Sequence, residues 1–198
     1  MNINDLYLLA VTGIAALVSI STVYKLFKDH ARLTSEDLGD EDRAFAWRVV
    51  IFLIFPLVTF LDLRATTVVT ELLGGYMKES SYGWMWYHAI PAGLTNNQAL
   101  VMALSGEVVT TTFALLLIPA LFFRPHPFLA TVIGYASVFI LALNFIGDPI
   151  LSLAGIGNMR WEVVRIAGSA EQLQALVIAH VVAAAVLLIA LKNNGIRL

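Results

Sequence analysis

Residues 99–123 read ALVMALSGEVVTTTFALLLIPALFF, residues 124–127 read RPHP, and residues 128–147 read FLATVIGYASVFILALNFIG. A helix needs roughly 20 apolar residues to cross a hydrocarbon core about 30 Å thick. Both runs reach that length, and Glu107 is the one charge in either. The link Arg124-Pro125-His126-Pro127 is too short for anything but a tight hairpin of antiparallel helices. This stretch predicts two adjacent membrane spans.

Outward from it, three further apolar runs fit the same template: 6–24, 45–63 and 173–191. The run 45–63 is the shortest, with Arg48 able to snorkel at one end and Asp62 and Arg64 marking the other. The whole composition agrees. Of 198 residues, 59% are hydrophobic and 13% charged, against about 25% charged in soluble domains. The mean hydropathy is +0.81. Such a chain lacks the polar groups to cover a water-facing surface. The expected fold is therefore an all-α integral membrane protein, with about five transmembrane helices in one bundle forming a single domain over residues 1–198. Short interfacial helices are expected in the loops. Met1–Asp5 has no basic residue, so the first run reads as a retained span rather than a cleaved signal.

Helix ends are written locally. Asp40, Glu41 and Asp42 suit the positive end of a helix dipole ahead of the second span. Thr95 and Gln98 have capping-box spacing ahead of the third. Pro56 removes a backbone donor and frees the Phe52 carbonyl, which predicts a kink. Small residues at four-residue spacing, Ala175/Ala179/Ala183 and Ala130/Gly134, suggest faces for close helix packing.

Basic residues predict orientation. With five spans, Lys25, Lys28, Arg32, Arg43, Arg48, Arg124, Lys192 and Arg197 fall on one side, and Arg64, Lys78, Arg160 and Arg165 on the other. The richer side is expected to be cytoplasmic, leaving the N-terminus outside and the C-terminus inside. The expected location is a bacterial inner membrane or an equivalent energy-transducing membrane. Two outer loops stand out. Tyr82-Gly83-Trp84-Met85-Trp86-Tyr87-His88 reads either as an interfacial aromatic belt or as the wall of a ligand site. Residues 159–166 read as a short surface helix.

Charges in a bilayer cost about 2.5–3.5 kcal/mol each at the centre, so they mark candidate sites. Glu107 lies about 12 Å into its span and His180 about 11 Å into the fifth, counted at 1.5 Å per residue from the same side. Asp62, Arg64, Asn144 and Asp148 end other spans on that side. Together these six form a candidate polar layer, read either as a structural pair with neighbours or as a functional pocket. His180, with His88, is also a candidate haem or pigment ligand. There are no cysteines, and no motif for a metal site, phosphate loop or nucleophile elbow. A net charge of −2 gives no reason to expect nucleic acid.

The expected partners are the lipid bilayer and other membrane subunits or a second copy. The leading expectation is an accessory subunit of a membrane complex. The alternatives are a membrane-embedded enzyme or small transporter for a lipid-like or protonatable ligand, working through Glu107 and His180, and a haem or pigment carrier.

Overall fold

The computed structural model describes residues 3–34, 38–123, 125–153 and 168–193. Its helices are α1 (Ile3–Lys28), α2 (His30–Leu33), α3 (Asp40–Val49), α4 (Phe55–Leu72), α5 (Asn96–Ala120), α6 (Pro127–Ala142), α7 (Asp148–Leu153) and α8 (Ala170–Asn193). Strands β1 (Tyr76–Tyr82) and β2 (Tyr87–Ala92) lie between α4 and α5. Among the described residues, four helices are long and apolar enough to cross a membrane: Tyr7–Lys28, Asp40–Leu72, Asn96–Ala120 and Pro127–Ile150. They overlap the first four expected spans. The fifth expected run falls within α8, 24 residues long. The expected surface helix at 159–166 lies outside the described residues.

The second span differs from its expected bounds of 45–63. One π-turn, Val50–Ile54, joins α3 to α4 without a break, so helix runs from Asp40 to Leu72. Asp62 and Arg64 therefore lie within a helix and not at its end. The Phe52 carbonyl that Pro56 was expected to free does lack its helical partner. The Phe55 amide bonds the Val50 carbonyl across the widened turn. The Phe52 carbonyl, which has no Pro56 N–H to accept from, accepts instead from Ser19 Oγ of α1 at 2.6 Å. A second π-turn, Leu143–Gly147, joins α6 to α7.

The end of the bundle where α4 stops and α5 starts is the hairpin end. There Gly74, at φ +83°, closes α4 in a left-handed conformation that costs glycine little. Thr95 and Gln98 form the expected capping box, and Gln98 Nε2 also donates to the Leu73 carbonyl at 2.9 Å. At the opposite end, the turn end, Asp42 accepts from Arg32 and from the Gly39 amide at 3.2 Å. Arg48 there donates to Ser21 and Thr22 of α1, and Lys25 lies 4.8 Å over the Phe45 ring.

The core has two apolar clusters. Leu33, Phe45, Ala46, Val49, Val50, Phe128, Val132 and Ala136 pack α2, α3 and α6 together near the turn end, with Phe45 and Phe128 stacked at 5.9 Å. Val58, Ala114, Ile140 and Leu141 join α4, α5 and α6 further along. The faces of close approach are not the ones read from spacing. Ala175 and Ala179 are exposed, and a Cβ on Gly134 would meet nothing within 4 Å. The small buried faces are Ala15, Ser19 and Thr22 on α1, and Ala103, Gly106, Thr110 and Ala114 on α5.

The loop between α4 and α5 corrects the expectation of an interfacial helix: it is a β-hairpin. Its strands pair antiparallel from Tyr76↔Ala92 to Tyr82↔Tyr87, with a bulge at Lys78. Ala89 of β2 is fully buried, while six of the seven residues of β1 are exposed, and both strands run beside α4.

Candidate functional site

The hairpin runs back along α4. Six strand steps from Tyr76 to Tyr82 cover about 20 Å at ~3.3 Å each, and sixteen helical rises from Leu72 back to Pro56 cover about 24 Å. The hairpin tip thus meets the middle of the helices. Tyr82 OH donates to the Pro56 carbonyl at 2.5 Å. Trp84 Nε1 donates to Ser19 Oγ at 2.8 Å. Trp86 Nε1 donates to Thr12 Oγ1 at 3.2 Å, and that hydroxyl donates to the Gly83 carbonyl at 3.2 Å. The tip is strained: Trp84 has φ +67°, and the Met85 amide reaches back to the Gly83 carbonyl at 2.8 Å, a rare left-handed γ-turn. The Trp84 carbonyl accepts from Thr59 Oγ1 at 3.3 Å and shares the single Tyr82 hydroxyl hydrogen with the Pro56 carbonyl, which holds the turn in place. Partial burial raises the Tyr82 phenol above its ordinary pKa, its hydrogen bond with Thr59 opposing, so it stays a neutral donor.

Between β2 and the helices lies a cavity of about 440 Å³, within the usual range of about 300–1,000 Å³ for small-molecule pockets. Its polar lining is Asp62 of α4, Thr110 of α5, Asn144 of the second π-turn, Asp148 of α7 and His88 of β2, with Thr59 beside them. Phe55, Val58, Ile140, Leu143, Met85, Trp86 and Tyr87 complete the wall.

Each polar group has a local reason for its place. Asp62, Thr66 and Thr70 recur every fourth residue and are all buried on one face of α4. Asp62 can lie there because its neighbour on α5 is Gly106: a Cβ at that position would sit 1.5 Å from Asp62 Oδ1. The π-turn contains Asn144, whose Nδ2 donates to Thr110 Oγ1 at 2.8 Å and Thr111 Oγ1 at 3.0 Å. Next to the cavity, Glu107 Oε1 and His180 Nε2 form a short hydrogen bond, their side chains 8% and 13% exposed. The His180 ring packs 5.6 Å from Phe145. With Val177 and Ala184 buried on the same side, His180 fixes which face α8 turns to the bundle.

Of the six residues of the expected polar layer, Asp62, Asn144 and Asp148 meet in the cavity and Glu107 pairs with His180 beside it. Arg64 does not join them: two residues past Asp62 on a helix, it points outward and is exposed. His88 lines the cavity, 3.9 Å from Glu79, while His180 is bonded to Glu107. Residues the sequence reading passed over are Gly106 and Thr110. The signal that could have found Gly106 is a glycine next in sequence to the buried acid Glu107. Among the described residues, no group of three or more His, Asp or Glu could hold a metal ion. Compared with known proteins, the chain matches no family model, no curated protein and no solved structure.

Proposed function

We propose that the chain is an integral membrane protein whose hairpin half binds a small lipid-like or protonatable molecule, as a small transporter or membrane-embedded enzyme. The observation that carries this reading is the cavity itself. Polar side chains from α4, α5, the second π-turn, α7 and β2 converge on one space walled by aromatic residues. In a bilayer, ionisable residues at such depth are costly and are kept mainly where they pair or serve a pathway. Non-helical backbone at that depth is tolerated only against protein or beside a water-filled cavity, and the hairpin next to this one fits that rule. Glu107 and His180 are the proposed proton-exchanging pair, one helical turn from Thr110. Because His180 Nε2 bonds Glu107, an axial-ligand role for it is not proposed. The basic-residue bias supports placing the hairpin on the outer side and the C-terminus inside.

The test is retention. Protein extracted with its native lipids into nanodiscs is stripped with solvent, and the released molecules are weighed by mass spectrometry. Wild type is expected to release a small molecule absent from bulk lipid, and Asn144→Leu, which fills the cavity with an apolar side chain, is expected to lose it. Wild type that carries bulk lipid alone would sink the proposal.

A second reading, a subunit of a larger membrane assembly, is favoured by one observation. Lys78, Glu79, Ser80 and Ser81 on β1 are exposed along an open strand edge, and at bilayer depth such groups call for a hydrogen-bonding neighbour. Migration of the gently solubilised protein with a stable partner in native gels, lost on replacing Ser80 and Ser81 by leucine, would favour it.

A further inference from the structure

We infer that the exposed face of α4, together with the open edge of β1, seats the headgroup of an anionic phospholipid, with Arg64 and Lys78 on its phosphate. The inference rests on the membrane placement proposed above and is independent of the cavity. Leu57, Phe60, Arg64 and Val68 recur at three- and four-residue steps and are all exposed, so Arg64 stands within an apolar stripe on one face of α4. A cation on a lipid-facing stripe is costly unless it reaches the headgroup layer or an anionic partner. Among the described residues, neither the Arg64 nor the Lys78 side chain is ion-paired or hydrogen-bonded.

Depth puts Arg64 at that layer. Arg48 bonds Thr22, and the Phe52 carbonyl bonds Ser19, so α1 and the second span run antiparallel. Counting the same number of residues outward from the Phe52–Ser19 contact brings Arg64 level with Tyr7. Tyr7 is exposed and of a type that favours the interface. The sixteen helical rises from Arg48 to Arg64 cover about 24 Å. With both guanidinium groups extended outward, the two arginines bracket a hydrocarbon core of about 30 Å. The strand supplies the second cation. The Tyr82 ring packs edge-on against Phe60 at 5.7 Å, and β1 runs beside α4 from there. Two strand steps on, about 7 Å, Ser80 is level with Arg64. Four steps on, about 13 Å, Lys78 is level with Val68, one helical turn nearer the hairpin end. Ser80 and Lys78 are both exposed. A guanidinium, an ammonium and a hydroxyl thus come to one edge, all able to donate to phosphate oxygens. Leu57 and Phe60 continue the same stripe toward the membrane interior and offer an apolar track for an acyl chain. Glu79, next to Lys78 in sequence, lies 3.9 Å from His88 across the hairpin.

The probes are phosphatidylglycerol, phosphatidylcholine and diacylglycerol with identical acyl chains. Each is added to the full chain in detergent, and bound lipid is counted by native mass spectrometry. Wild type is expected to retain phosphatidylglycerol best and diacylglycerol least. Arg64→Leu should lower phosphatidylglycerol retention about fivefold, the factor one basic residue contributes near an anionic surface, and Lys78→Gln should lower it by less. Arg43→Gln removes an exposed cation at the turn end and should change nothing. If Arg64→Leu fails to fold, Arg64→Lys, which keeps the charge and loses the planar fork, should show a partial loss. Equal retention of phosphatidylglycerol and phosphatidylcholine, or retention unchanged in the Arg64 variants, overturns the headgroup site. Displacement of the lipid by inorganic phosphate at equal concentration overturns a lipid as the occupant. Loss of a protein partner in native gels on Arg64→Leu, with lipid retention unchanged, gives the face to an acidic subunit surface instead. All of these results leave the membrane placement standing. Recovery of the chain in the water-soluble fraction without detergent overturns that placement and the site with it.

Discussion

The two halves of the bundle are built on opposite terms. At the turn end, the helices meet through a continuous apolar cluster in which Ala46 and Val50 are fully buried and Phe45 stacks on Phe128. The charges there, Asp42, Arg32, Arg48 and Lys25, sit at its margin with named partners. In the hairpin half, apolar residues such as Met102 and Ala103 are buried beside a polar set absent from the other end: Asp62, Thr66, Thr70, Glu107, Thr110 and Asn144. Two π-turns and a strained hairpin tip border it. The first half is organised by apolar packing alone, and the second adds buried hydrogen-bonding groups around a space. The packed apolar cluster and the buried polar groups thus lie at different ends of the same helices.

The largest way to break this contrast is to place a charge in the packed half. Val50→Asp buries an unpaired carboxylate in an apolar cluster and should destabilise the solubilised protein by about 3 kcal/mol or more. A melting curve close to wild type would mean that the turn-end cluster is not the stabilising core. A smaller effect is expected where a side chain is added to the seat of Asp62. Gly106→Val forces Asp62 off its position at about 1–3 kcal/mol, whereas Gly134→Val, with open space around it, should stay within about 0.5 kcal/mol. Equal melts for these two valine variants would contradict the close contact of α4 with α5.

The smallest effect sharpens the comparison. Glu107→Gln and His180→Gln should each lower stability, and the double variant should cost less than their sum. The expected coupling is on the order of 0.6 kcal/mol, the average for polar pairs in membrane helices. Additive losses in replicate melts would remove the pair as the link between α5 and α8.

Much of the helical plan was legible because apolar length is a local signal. The runs 6–24, 99–123 and 128–147 need no knowledge of neighbours, and the Thr95–Gln98 box and Pro56 act within four residues of themselves. The pairing of Glu107 with His180 followed from depth alone, since both helices were counted from the same side. What stayed hidden depended on partners distant in sequence. The charges of Asp62 and Arg64 suggested a helix end, but burial against Gly106 absorbs the first and outward orientation the second, so the helix continues to Leu72. Strand β1, Tyr76–Tyr82, lacks clean alternation, and its hairpin is held by bonds to Thr12, Ser19 and Pro56 that no local pattern announces. Spacing also misled for Ala175 and Ala179, because alanine recurs on lipid-facing and protein-facing sides alike.

The hydroxyl of Ser19 carries a consequence for biosynthesis. It covers the Phe52 carbonyl that Pro56 leaves without an amide, and it also receives the indole of Trp84. Along the polypeptide these three arrive in the order Ser19, Phe52, Trp84. The first helix has therefore left the ribosome before the proline-bearing helix needs it, and the hairpin is made after both. A translocon handing over the second helix alone would release it with a bare carbonyl facing hydrocarbon. Handing it over beside α1 removes that penalty, and the order of synthesis becomes part of how the fold is reached.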